Sequence, residues 1–92
     1  MKDRRSKLQI YYDIMTAIIK DRQDNEEISK TRVQFKSNTS YDKLLRYLDE
    51  MEQKGMIIRT GKQTEMTDIG MQFYNDYSRV NNLINEITQG LP

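Results

Sequence analysis

Residues 28–58 read ISKTRVQFKSNTSYDKLLRYLDEMEQKGMII, and this stretch decides the fold. Ser29 is a good N-cap for a short helix over Lys30 to Lys36. The main apolar residues of that helix are Val33 and Phe35, and at least one must reach a core. Ser37-Asn38-Thr39 reads as a tight turn, because Asn tolerates the left-handed backbone conformation that such turns need. Thr39 and Asp42 have the spacing of a capping box, which starts a second helix near Ser40. Tyr41, Leu44, Leu45, Leu48 and Met51 then share one helical face. Lys54-Gly55 suits the end of that helix. Met56 to Arg59 is apolar and β-branched enough for a strand. The predicted order is helix, turn, helix, strand.

The same stretch concentrates positive charge. Lys30, Arg32, Lys36, Lys43 and Arg46 face a single acid, Asp42. Acids gather at Asp21 to Glu27 and at Asp49 to Glu52, away in sequence from the basic run. The net charge is only +1, so asymmetry rather than total charge is the informative quantity.

Upstream, residues 1–7 are mostly basic. Ser6 and Gln9 fit a capping box that opens a helix near Lys7 and fades near Arg22. Leu8, Tyr11, Ile14, Met15, Ile18 and Ile19 form its apolar face. Downstream, Thr60-Gly61-Lys62 is a turn, and Gln63 to Met66 returns as a second strand. Thr67 caps a last helix that runs to about Gln89, ahead of Gly90 and Pro92. Phe73, Tyr77, Val80, Ile84, Ile87 and Leu91 recur on it at steps of four and three. That is a heptad seam, interrupted upstream by Gly70. Phe73 and Tyr74 can dock on the chain's own domain, whereas the later residues need a partner.

The expected architecture is mainly α with a small β-hairpin: a winged helix-turn-helix over residues 1–66, then a long C-terminal dimerisation helix over 67–92. A chain of 92 residues fits one small domain with a modest core. With no cysteine and no histidine it has no Cys/His metal site, thiol chemistry or imidazole catalysis to offer. No nucleophile, Gly-rich phosphate loop or metal-ligand spacing accompanies its acidic pairs, so the expectation is a non-enzyme without cofactor or metal. Apolar runs are too short for a signal peptide or membrane span, and a cytoplasmic, nucleoid-associated location is expected.

The chain resembles the small archaeal winged-helix DNA-binding proteins that dimerise through a C-terminal coiled-coil helix. The likeness rests on Arg5-Ser6-Lys7-Leu8 with Tyr12-Asp13-Ile14, on Ser29-Lys30-Thr31-Arg32, and on Asn38-Thr39-Ser40-Tyr41 with Leu44 and Tyr47-Leu48. Lys54-Gly55-Met56-Ile57 and Thr67-Asp68-Ile69-Gly70 continue it. The resemblance implies a homodimer on double-stranded DNA, acting as a regulator or a chromatin-like protein. Two departures stand out: Thr64 replaces an aromatic on the second wing strand, and the wing carries only Arg59 and Lys62 as charges of its first strand and turn.

On this reading helix three enters the major groove. Ser40, Lys43 and Arg46, with Asn38 and Thr39, are placed at base edges. Lys30, Arg32 and Lys36 are placed on phosphates, and Arg59 and Lys62 are the wing contacts. Tyr77, Val80, Ile84, Ile87 and Leu91 are the dimerisation residues. Lys2, Arg4, Arg5 and Lys7 form either a DNA-contacting arm or a solubilising tail. Tyr41 is expected in the core and Tyr47 at its border, packed with Tyr11 or Tyr12. A module for protein interaction is the alternative function class.

Overall fold

Capping and periodicity set the elements of the computed structural model, which describes residues 3–91. Helices α1 (Lys7–Asp24), α2 (Lys30–Ser37) and α3 (Tyr41–Gln53) precede strands β1 (Ile57–Thr60) and β2 (Gln63–Met66), and α4 (Asp68–Gln89) follows. The expected fold is therefore the observed one: a winged helix domain with a long C-terminal helix.

Each helix starts where a hydroxyl can take an orphan amide. Ser6, Ser29, Ser40 and Thr67 accept from the main-chain N–H of Gln9, Arg32, Lys43 and Gly70. The cap of α3 is thus Ser40 and not Thr39, whose hydroxyl is engaged with Ser37 Oγ at 3.1 Å. At the start of α1 only half of the expected box is made. The Gln9 side chain donates to Asp13 Oδ1 at 2.7 Å and accepts from the Tyr77 hydroxyl at 3.0 Å instead of reaching back.

The turn between α2 and α3 has Asn38 at φ 56, the left-handed conformation its residue type suggested. Gly55, at φ 76, lets the chain leave α3 and enter β1. The antiparallel hairpin pairs Ile57 with Met66 and Thr60 with Gln63. Thr64, in the position where an aromatic was expected, is itself buried.

The core consists of Ile10, Tyr11, Ile14, Met15, Ala17 and Ile18 of α1, with Val33, Leu44, Leu48, Met51, Met56 and Ile57. Of the two apolar residues of α2, Val33 is buried and Phe35 faces solvent. Leu8 is exposed, whereas Ile10 and Ala17, absent from the expected face, are buried. The buried arc of α1 is therefore rotated from the one its sequence suggested, because α2, α3 and α4 all lean on it. Tyr41 is also a correction. It is 42% exposed at the first turn of α3, ahead of the point where the helix meets the core. Tyr47 does border the core, edge-on to Tyr11 with ring centroids 6.2 Å apart.

The first half of α4 docks on α1. Tyr12 stacks on Tyr74 at 4.9 Å and meets Tyr77 at 5.0 Å, and its hydroxyl bonds to Ser78 Oγ at 2.9 Å. Tyr77 is thus already engaged by its own domain. Beyond it Val80, Leu83, Ile84, Ile87 and Leu91 are each half or more exposed. Leu83, not counted in the expected seam, widens that apolar stripe. No helix among the described residues is long and apolar enough to cross a membrane.

Candidate nucleic-acid interface

The basic residues of the helix-turn-helix divide into two groups once the chain is folded. Asp21 lies in phase with Ile14 and Ile18 on the core face of α1, and its side chain is fully buried. Arg32 donates to it through Nε at 2.7 Å and Nη2 at 3.2 Å, and Lys36 Nζ lies 3.2 Å away. The Ser29 amide adds a bond of 3.0 Å, so this carboxylate also fixes the entry to α2. An acid that stands apart in sequence is therefore the centre of part of the basic cluster. Arg32 and Lys36, expected on phosphates, both bond to Asp21, whose single negative charge offsets one of their two positive charges.

Those bonds, led by the Arg32 guanidinium, hold the Asp21 carboxyl down at about 2. A depressed folded-state value means that the stabilisation is present above the ordinary value of 3.8 and is lost as the pH falls toward 2. The contribution is about 2 kcal/mol at neutral pH. In thermal melts, wild type is expected to lose more stability than Asp21→Asn between about pH 4 and pH 2. Parallel losses would show that Asp21 does not titrate in this way.

The second group remains open. Among the described residues, Lys30, Lys43, Arg46 and Lys62 take part in no ion pair. Lys43 and Arg46 lie in the first half of α3, and Arg46 sits over the Tyr47 ring at 5.6 Å. Asn38 and Ser40 are exposed at the entry to α3, and Thr39 is half-buried between them. Lys30 is exposed at the start of α2, and Lys62 lies in the hairpin turn. Of the ten expected contact residues, Asn38, Ser40, Lys43 and Arg46 thus remain available at the turn and the start of α3, with Lys30 at the start of α2 and Lys62 in the hairpin, whereas the Thr39 hydroxyl is held by Ser37. Arg59 does not join them. It bonds Asp49 and, at 2.9 Å, Glu52 on the acidic end of α3. That pairing raises the Arg59 guanidinium and lowers the Glu52 carboxyl from their ordinary values.

The resulting electrostatics have a direction along α3. Its N-terminal half presents unpaired cations beside the positive end of the helix dipole, and its C-terminal half carries acids paired with Arg59, Lys7 and the Tyr11 hydroxyl. Tyr11 donates to Glu50 at 2.9 Å, and burial followed by this carboxylate pushes its hydroxyl up to about 12. Among the described residues no cluster of His, Cys, Asp or Glu has the arrangement of a metal site.

Sequence reading missed two organising residues. Asp21 carried a usable signal, an acid in register with an apolar face. Arg5 carried none, since its main-chain partners are the carbonyls of Ser37 and Asn38, more than thirty residues away. Lys7 turns toward Glu50 at 3.4 Å, and Lys2 lies outside the described residues.

Comparison with known proteins gives a consistent picture. A family model described as winged helix-turn-helix matches residues 4–85. The fold is similar to that of Sso10a-2, a DNA-binding protein from Sulfolobus solfataricus, with a TM-score of 0.66 and 19% sequence identity. The superposition covers 92% of this chain and 87% of that one. No curated protein matches the sequence.

Proposed function

We propose that this chain, which belongs to the winged helix-turn-helix family, binds double-stranded DNA as a homodimer, with α3 in the major groove, and regulates transcription. The observation that carries this reading is the pair of cations free of ion pairs, Lys43 and Arg46, in the first half of α3 just after the Asn38–Ser40 turn. A helix of this kind reads bases through its N-terminal residues, and that is where the unpaired donors lie. Lys43 and Arg46 are the base-edge candidates with Asn38, Thr39 and Ser40; Lys30 is the phosphate contact, and Lys62 the one charge the wing keeps for DNA. Arg32, Lys36 and Arg59 hold the scaffold that aims them.

Similarity to a protein described as DNA-binding supports the same reading. Residues 1–66 form the reading head, and the helix over 67–92 serves first as a brace on α1 and then as the dimer seam. A partner copy would place two α3 helices on one duplex, at a spacing set by α4. Such a protein works in the cytoplasm, on the nucleoid.

The test is fluorescence anisotropy of a labelled duplex across a range of salt concentrations. Log affinity is expected to fall linearly with log salt, at about 0.9 per phosphate neutralised. Absence of binding at low salt would overturn the proposal. Selection from random duplexes then separates two roles. A regulator prefers one site over random sequence by at least about a thousandfold, whereas an architectural protein shows a nearly flat preference.

A further inference from the structure

Arg5 lies outside the contact surface just described, yet it ties three parts of the chain together. Its Nη1 donates to the Ser37 carbonyl at 2.7 Å and to Asp13 Oδ2 at 2.9 Å. Its Nη2 donates to the Asn38 carbonyl at 2.8 Å and to Asp3 Oδ2 at 2.7 Å, and Nε reaches Asp3 Oδ1 at 3.1 Å. Ser37 ends α2, and Asn38 is the left-handed residue whose backbone sets the angle between α2 and α3. The guanidinium therefore satisfies carbonyls at the turn itself while holding α1 through Asp13. Only a planar, forked cation with several fixed N–H groups can serve so many acceptors at once.

This attachment lays residues 3–5 beside the start of α3. Asp3, Arg4 and Arg5 line one open cleft with Asn38, Thr39, Ser40 and Lys43. The Asp3 carboxylate is engaged by Arg5, whose main-chain N–H, Nε and Nη2 all donate to it. Arg4 is exposed and, among the described residues, makes no side-chain ion pair. Its charge is thus added to that of Lys43 on the same rim.

We propose that Arg5 is a positioning residue of the DNA-binding surface: anchored on the carbonyls that end α2, it places Arg4 beside Lys43, so that Arg4 adds a contact to the phosphate backbone next to the base-edge contact of Lys43. Arg5 itself contacts no DNA. This inference rests on the DNA-binding reading above and adds a second segment to the interface.

The experiment compares the salt dependence of duplex binding for wild type, Arg4→Ala, Arg5→Gln, Arg5→Lys, Lys43→Ala and the Arg4→Ala/Arg5→Gln pair. Partial unfolding lowers the active fraction without changing the slope of log affinity on log salt, so the slope reports contacts. Lys43→Ala and Arg4→Ala are each expected to reduce the slope by about 0.9 per protomer. Arg5→Gln should reduce it equally, Arg5→Lys should not restore it, and the pair should lose no more than Arg4→Ala alone. An additive loss in the pair would make Arg5 a direct contact and overturn the positioning role. An unchanged slope in Arg4→Ala beside a reduced one in Lys43→Ala would remove the N-terminal segment from the surface while leaving DNA binding intact. Wild type that fails to bind duplex would remove both.

Discussion

Gly70→Ala is expected to lower the melting temperature by about 15 °C or more. A Cβ on Gly70 would overlap the Met56 carbonyl oxygen, with the Met56 carbonyl carbon at 3.0 Å and Met15 Cε at 3.2 Å. The obstacle is backbone, so no rotamer change relieves it. That carbonyl also accepts the Thr67 amide at 3.1 Å, and Met15 has no exposed surface to move into. The methyl can enter only if α4 lifts from the segment that joins α3 to β1. Overpacking of this kind costs roughly 3 kcal/mol or more, a large share of the 5–15 kcal/mol that holds a typical domain together. Gly90→Ala is the matched control. Its Cβ would find nothing nearer than 3.5 Å and its φ of −80 suits any residue, so its melting temperature should stay within a few degrees of wild type. Equal melting of the two variants would mean that α4 does not approach Met56 this closely.

Ile84→Asp is expected to turn a dimer into a monomer by light scattering, with the helical content of each protomer retained. Ile84 is 54% exposed and sits in the middle of the stripe formed by Val80, Leu83, Ile87 and Leu91, beyond Ser78, which bonds Tyr12 of α1. In a monomer the substitution exchanges an exposed apolar side chain for an exposed carboxylate, which costs the fold little. In a paired seam it buries one carboxylate per copy, at several kcal/mol per ion. The effect on assembly therefore exceeds the effect on folding by a wide margin. Two copies also double the number of α3 helices offered to one duplex, so Ile84→Asp should bind DNA more weakly than wild type at equal protomer concentration. A wild-type monomer at high concentration would contradict the seam.

Periodicity and caps made most of this fold legible. Ser29, Asn38, Gly55 and Thr67 each carry a local backbone requirement that their residue type satisfies, and the structure shows each at its expected task. Leu44, Leu48 and Met51 recur in helical register, and they are buried together. The illegible part depends on distances in space. Nothing in the local sequence says that Arg32 and Lys36 converge on Asp21, because those pairs form only when α2 packs across α1. Arg59 likewise meets Asp49 and Glu52 only when β1 folds back along α3. Counting the cations between Lys30 and Arg46 therefore overstated the free charge of the surface and understated its focus. Tyr41 and Leu8 show the same limit for apolar residues: helical spacing assigns a face, but neighbouring elements decide how much of its length is covered.

The most direct measurement is duplex affinity as a function of salt for wild type, for Lys43→Ala/Arg46→Ala and for a control of equal charge loss, Lys20→Ala/Lys54→Ala. Lys20 and Lys54 are exposed at positions away from the turn, on α1 and at the end of α3. If the N-terminal half of α3 is the reading edge, the first pair loses most of the affinity and close to two units of salt slope per protomer, while the control stays near wild type. Equal losses in the two pairs would contradict it, since they would mean that net charge, and not this face, attracts the duplex.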